Sequence, residues 1–242
     1  LEAASAGASG IIGGIGGSAT NDAGIGLAAA LGCRFLDAMG KPVEALPINI
    51  PRISSIDSTD LRKTPPIRVA CDVSNPLLGL RGATRVYGPQ KGLPPQAIDS
   101  AEADHQRFAG LCGDHFGTRF EETPGAGAAG GLGYGLMTFC AATMESGFDC
   151  IAGALGAETR ISKADLVITA EGCLDAQTLE GKTPYGVAKL ARKHGVPVYA
   201  FAGCLADEEL LHDHFDGIAS LVNSPVTLEQ AVADANRLLE LA

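Results

Sequence analysis

"DLVITAEGCLDAQTLEGKTPYGVAKLARKHGVPVYAFAG", residues 165–203, holds an apolar run, two acids in a glycine-broken segment, and then a helical pattern. The run at 165–169 reads as a strand, 184–194 as a helix and 197–202 as a second strand. A further strand at 217–222 and helical segments at 207–214 and 227–241 continue the rhythm. Strand alternating with helix is the pattern of a doubly wound parallel sheet, and nearly continuous apolar strands suit burial on both faces. Ligands of such sheets gather at the carboxyl ends of the strands. Glu171 and Asp175 fall at such an end, with Gly181-Lys182-Thr183 and Pro184 just beyond. A cation, a hydroxyl and a helix N-terminus together suit an anion. Two solvated acids capping the next helix account for the same residues equally well.

Upstream of about residue 140 this rhythm is missing, which predicts a different, mixed α/β unit over 1–140 and a parallel-sheet unit over 141–242. "IIGGIGGSATNDAGIGLAAALG" (11–32) runs from a short apolar stretch through a polar loop into an alanine-rich helix closed by Gly32. Gly17 lets a ligand approach the backbone, Ser18 and Thr20 offer hydroxyls, and Asn21 and Asp22 stand where a helix begins. An N-cap explains Asn21 or Asp22, but not the Gly-Gly-Ser-Ala-Thr before them. Residues 33–64 read as short strands and turns, and "IRVACDVSNPLLG" (67–79) as a strand ending in Asp72 and an Asn75-Pro76 turn. An Asx turn explains Asp72 and Asn75 as well as ligand binding does. "GATRVYGPQKG" (82–92) reads as a loop carrying Lys91, a helix fills 95–115, and "PGAGAAGGLGYGLMTF" (124–139) leads from a glycine cluster into an apolar helix.

Composition narrows the function classes. The 242 residues are 46% hydrophobic and 19% charged, with a formal charge of −10. That balance argues against nucleic-acid or anionic-membrane partners, and no apolar run is long enough to span a bilayer. Seven scattered cysteines, an odd number without a C-x-x-C pair, read as reduced thiols in a cytoplasmic protein rather than a disulfide framework or zinc site. The chain opens at Leu1 and enters glycine-rich sequence almost at once, so further sequence is expected upstream.

Two glycine patterns are weak. "GAGAAG" (125–130) fits the dinucleotide fingerprint, which needs a strand directly before it, and "RFEETP" is not one. "AQTLEGKT" (176–183) resembles a P-loop with alanine in the first glycine position.

Taken together, "IGGSATNDAGIGLAAALGCRFLD", "VACDVSNPLLGLRGATRVYGPQKG", "PGAGAAGGLG" and "DLVITAEGCLDAQTLEGKTPYGVAKLA", in this order, resemble the bacterial type I glycerate kinases from about residue 11 to residue 222. The resemblance implies a flavodoxin-like domain and an inserted mixed α/β domain with the active site between them. It also implies phosphorylation of D-glycerate to 2-phosphoglycerate with ATP and Mg2+. Carried over by position, the site residues are Gly17, Ser18, Thr20, Asn21 and Asp22, then Asp72, Asn75 and Lys91, then Glu171, Asp175, Gln177, Thr178 and Lys182. Asp175, Glu171 and Asp22 would be catalytic, and Glu171 and Asp175 would hold the metal. Two departures stand out. The family's Pro-Asp-Ser-Phe-Lys-Gly and Ala-Asp-Gly-Gly-Glu-Gly-Thr segments are absent, and its Gly-Glu-Gly-Arg is Ala170-Glu171-Gly172-Cys173. Cysteine has neither the charge nor the forked donors of arginine. The alternative is therefore a family member that only binds a small acid or nucleotide. Exposed strand edges of an incomplete sheet would favour association, so a homodimer is compatible with the sequence.

Overall fold

Parallel pairing of apolar strands organises both halves of the chain. The computed structural model describes residues 2–222 and 224–241 and falls into two units, Leu1–Cys150 and Ile151–Ala242. In chain order the first unit holds α1 (Glu2–Ser5), β1 (Ile11–Gly14), α2 (Ile25–Ala30), β2 (Arg34–Leu36), β3 (Pro42–Val43), β4 (Ser55–Asp57), β5 (Ile67–Ala70), α3 (Ala83–Tyr87), α4 (Ile98–Phe116), α5 (Ala128–Cys140) and β6 (Thr143–Glu145). The chain passes into the second unit within α6 (Gly147–Ala154).

The first unit is less irregular than its sequence suggests. β1, β5 and β6 form a parallel sheet in the order β1-β5-β6, with Ile11 opposite Ile67 and Val69 opposite Met144. A small antiparallel sheet, β3-β2-β4, accounts for the short strands of 33–64. Because β6 adds to β5, residues 141–150 belong with the first unit, and the boundary lies ten residues beyond the expected one. The stretch 82–92 is not a loop: α3 fills Ala83–Tyr87 and a 3-10 turn Pro89–Lys91. The core is built as a tryptophan-free chain must build it. Phe35 sits edge-on to Phe108 and Phe139, with ring centroids 5.7 and 6.4 Å away, and small residues such as Ala28 of α2, Ala83 of α3 and Ala109 of α4 pack into the same cluster.

The second unit follows with α7 (Ala157–Ile161), β7 (Val167–Leu174), α8 (Thr183–Lys193), β8 (Val198–Leu205), α9 (Glu208–Leu211), β9 (Gly217–Ser220), α10 (Leu228–Ala233) and α11 (Ala235–Leu241). β7, β8 and β9 pair in parallel in that order, as the β-α-β rhythm predicts. Ala188 and Ala191 of α8 join Leu174, Val198, Ala200 and Ala202 in one buried cluster. Burial on both faces does not hold. Side chains alternate across a strand, and Ile168 and Tyr199, on the opposite face, are 62% and 43% exposed. β7 also runs further than expected. Glu171 to Leu174 are strand, not loop, paired with Ala202 to Leu205 of β8.

That extension overturns the reading of all cysteines as reduced thiols. β7 and β8 both end in Gly-Cys-Leu, the register sets Cys173 opposite Cys204, and the two form a disulfide. The other five cysteines are unpaired. Burial pushes the Cys33 thiol up to about 11 and the Cys112 thiol up to about 12, so neither is a nucleophile near neutral pH.

Two buried positions generate predictions. Gly130 has φ +72°, and a Cβ there would run into the Thr20 carbonyl. Gly130→Ala is expected to cost at least about 2 kcal/mol in urea unfolding, through left-handed strain and that clash. Gly13→Ala, with open space around its Cβ, is expected to change stability by less than about 0.5 kcal/mol. His105, 1% exposed, has its pKa pushed down to about 4 by burial. The unfolded chain takes up this proton below about pH 6.5, while the folded chain refuses it until about pH 4. Stability from this group is therefore intact above pH 6.5 and falls, by up to about 3 kcal/mol, as pH drops toward 4. Unfolding free energies of the unchanged protein and His105→Gln across that window are expected to converge as the pH falls.

Candidate functional site

The chain leaves β1 at Gly14 and turns at Gly17, whose φ of +71° suits glycine. It then runs through Ser18, Thr20 and Asn21 to α2. Asp22 fixes the end of this loop: its Oδ1 accepts from the Gly24 amide at 3.0 Å and its Oδ2 from the Gly26 amide at 3.4 Å. The carboxylate proposed as catalytic thus caps a helix, with 7% of its surface exposed. The Asp22 and Ala23 amides both donate to the Gly130 carbonyl, at 3.1 and 3.2 Å. Ala129, Gly130 and Gly131 are all left-handed, so α5 begins with a turn that meets the loop backbone to backbone. No strand stands directly before Gly125 among the described residues, which removes the structural context a dinucleotide fingerprint needs.

Lys91 closes the arrangement. Its ammonium donates to Ser18 Oγ at 2.8 Å and to the Thr20 carbonyl at 2.6 Å. Burial pulls its pKa down while the Asp22 charge pulls it up. An ammonium has three protons, so these two bonds leave one for a ligand. Two cavities meet at this side chain. One, of about 580 Å³, is lined by Thr20, Asn21, Lys91, Ser100, Asp104 and His105 among others. The second, of about 390 Å³, is lined by Ser18, Asp72, Tyr87, Gln90 and Lys91 among others. Asp72 follows β5, and its Oδ1 accepts from the Gly147 amide at 2.7 Å. Asn75 is engaged at both ends: Tyr87 donates to its Oδ1 at 2.7 Å and its Nδ2 donates to the Arg81 carbonyl at 2.7 Å. It shapes the turn rather than facing a cavity.

Ser18, Thr20, Asn21, Asp72 and Lys91 are therefore brought together, as Gly17 is with the second cavity. Thr84, Gln90 and His105 join them without having been singled out. Gln90 stands beside Lys91 in sequence, a signal that a loop reading of 82–92 obscured. His105 gives no signal, because within a helical pattern it is indistinguishable from a surface residue.

In the second unit, Glu171 lies within β7 and Asp175 directly after it. Lys182 Nζ is 3.9 Å from Glu171 Oε1 and 3.5 Å from Asp175 Oδ1. Asp175 also accepts from the Thr178 amide at 3.1 Å, and Thr178 Oγ1 accepts from the Asp175 amide at 3.1 Å. This capping box opens the 3-10 turn Ala176–Glu180 and accounts for Thr178, which is fully buried. Gln177 is exposed. Glu171 Oε2 is buried without a hydrogen-bond partner. Among the described residues no three His, Cys, Asp or Glu groups cluster as a metal cage. Two carboxylates are the donor set magnesium takes when phosphates and water complete its shell, so Glu171 and Asp175 fit that role and an internal cage does not. No helix among the described residues is long and apolar enough to cross a membrane.

Comparison with known proteins matches the chain to a family. A model of the glycerate kinase family matches residues 1–242. The chain is 42% identical over 240 residues to the glycerate kinase of Bacillus subtilis (strain 168), covering 97% of this chain and 63% of that one. It is 41% identical over 240 residues to the glycerate 2-kinase of Escherichia coli (strain K12), with the same coverage of 97% and 63%. A crystal structure named for glycerate kinase 2 of Salmonella typhimurium LT2 superposes with a TM-score of 0.81 at 40% identity, covering 99% of this chain and 66% of that one. The chain spans 63% of the length of both curated relatives. With a family model matched from the first residue to the last, the chain belongs to the glycerate kinase family.

Proposed function

We propose that the chain serves the ATP-dependent phosphorylation of D-glycerate to 2-phosphoglycerate, as a magnesium-requiring kinase acting on an alcohol in the cytoplasm. The observation that carries this reading is Lys91, a half-buried ammonium with a proton to spare, set between two cavities in a family member. Phosphoryl transfer asks a protein mainly for positioning and for charge neutralisation. Lys91 offers the second to a carboxylate or phosphate. Ser18, Thr20 and Asn21 offer the first through hydroxyls, a side-chain amide and main-chain groups fixed by α5. Asp72 faces the cavity on the Ser18 side and is the acid there best placed to accept a proton from a hydroxyl. Asp22 acts through the loop it caps. In the second unit, Glu171 and Asp175 would hold magnesium in place of Lys182, whose ammonium would then be available to phosphate. Magnesium bound there would neutralise charge on the transferred group. Gln177, exposed beside them, would contact nucleotide. The finer fold reading is a flavodoxin-like second domain with the first inserted into it, and its support is the parallel order β7-β8-β9.

A second reading, binding without turnover, is favoured by one observation. Cys173 stands where the family pattern has arginine and is bonded to Cys204, so no cation arises at that position.

ADP release from ATP with magnesium and D-glycerate separates the two. Turnover is expected to need both magnesium and glycerate. Glu171→Ala with Asp175→Ala is expected to lower kcat at least about 100-fold, and Lys91→Met to lower kcat/KM by about 100-fold or more. Phosphorus NMR of the product should show the doublet of a phosphate on a CH carbon. A triplet would mean the 3-phosphate. Tight glycerate or ATP binding without turnover, restored by Cys173→Arg, would establish the second reading.

A further inference from the structure

Asn21 is held by two residues that the kinase reading does not use. Its Nδ2 donates to Thr84 Oγ1 at 3.3 Å, and Thr84 Oγ1 lies 2.8 Å from His105 Nδ1. Thr84 is fully buried and His105 is 1% exposed. Burial keeps the His105 imidazole uncharged at neutral pH, so it has one N–H and one lone pair.

One arrangement of protons satisfies these contacts. With the Asn21 amide nitrogen donating to Thr84 Oγ1, the Thr84 hydroxyl is free to donate to Nδ1, and a neutral ring that accepts there carries its hydrogen on Nε2. The Thr84 hydroxyl then spends its single proton on Nδ1, and the amide nitrogen turned toward Thr84 leaves Asn21 Oδ1 elsewhere. Asn21 Oδ1 is in fact buried and has no hydrogen-bond partner. A buried acceptor without a partner is costly, and Asn21 lines the cavity that also holds Lys91.

We infer that Thr84 and His105 are positioning residues that orient Asn21, so that its Oδ1 accepts a hydroxyl proton from a small hydroxy acid whose carboxylate pairs with Lys91. The identity of the acid as glycerate rests on the kinase reading; the orientation of Asn21 does not. Thr84→Val removes the hydroxyl at nearly constant volume, and Thr84→Ser keeps it. Nitrogen-15 spectra of the unchanged protein should show His105 as the neutral Nε2–H tautomer, and the Asn21 side-chain amide should shift in Thr84→Val but not in Thr84→Ser. Thr84→Val should raise the KM for D-glycerate about tenfold with the KM for ATP held within about twofold, and Thr84→Ser should restore it. An Nδ1–H tautomer, an unmoved Asn21 amide, or equal losses in the two variants would overturn the inference. So would a rise in both KM values together, the mark of a general loosening. If the unchanged protein neither binds D-glycerate in an NMR titration nor turns it over, the kinase reading and the ligand named here both fall. The His105 tautomer and the Asn21 amide shift then still decide the positioning by themselves.

Discussion

The first unit depends on one backbone-to-backbone contact: residues 20–24 lie directly on the left-handed start of α5. The Gly130 carbonyl accepts two amides from the loop, and Gly130 itself is close enough to the Thr20 carbonyl to exclude any side chain. A few residues on, Gly24 and Gly135 meet so closely that a Cβ on either would stand 2.7 Å from the other's Cα. The loop side of both cavities hangs on this seam. It sets the Thr20 carbonyl where Lys91 can bond it, and it points Asn21 toward Thr84. Glycine is needed for two separate reasons, a positive φ and the missing Cβ.

Given that seam, Lys91 becomes the group on which the proposed chemistry turns. Desolvating an ammonium is costly, and the structure offsets this with a hydroxyl and a carbonyl rather than a carboxylate. A carboxylate partner would satisfy the charge and leave little attraction for an anionic ligand. Neutral partners hold the side chain in place and leave its charge available. Lys182 in the second unit is the contrasting case. It pairs with Glu171 and Asp175 at longer distances and with about a third of its side chain exposed, where such pairs contribute little to stability. That looseness would let the ammonium move aside if the two carboxylates held a metal as proposed.

Several of these features are legible in the chain itself. The β-α-β rhythm after residue 150 places β7, α8, β8 and β9 close to where they are found. "GGSATND" marks the loop that carries Ser18, Thr20 and Asn21. The two Gly-Cys-Leu endings are also in plain view, but reading them as a disulfide requires the register that sets residue 173 against 204. Strand length misleads here: Glu171 and Gly172 look like loop residues, and neighbour pairing along β8 keeps them in the strand.

What the sequence by itself determined is the class of fold, the family and the segments that would bear chemistry, because hydrophobic period, glycine placement and polar loops are local properties. What only the tertiary structure decided is which residues meet. The period of α4 hides His105 until Thr84 and Asn21 are seen around it, whereas capping by Asp22, a contact with the nearby Gly24 and Gly26 amides, is one of the readings its place before a helix already allowed. Residues such as Asn21 and Thr84, 63 positions apart, become partners through close packing of glycine backbones. No window of sequence contains that distance.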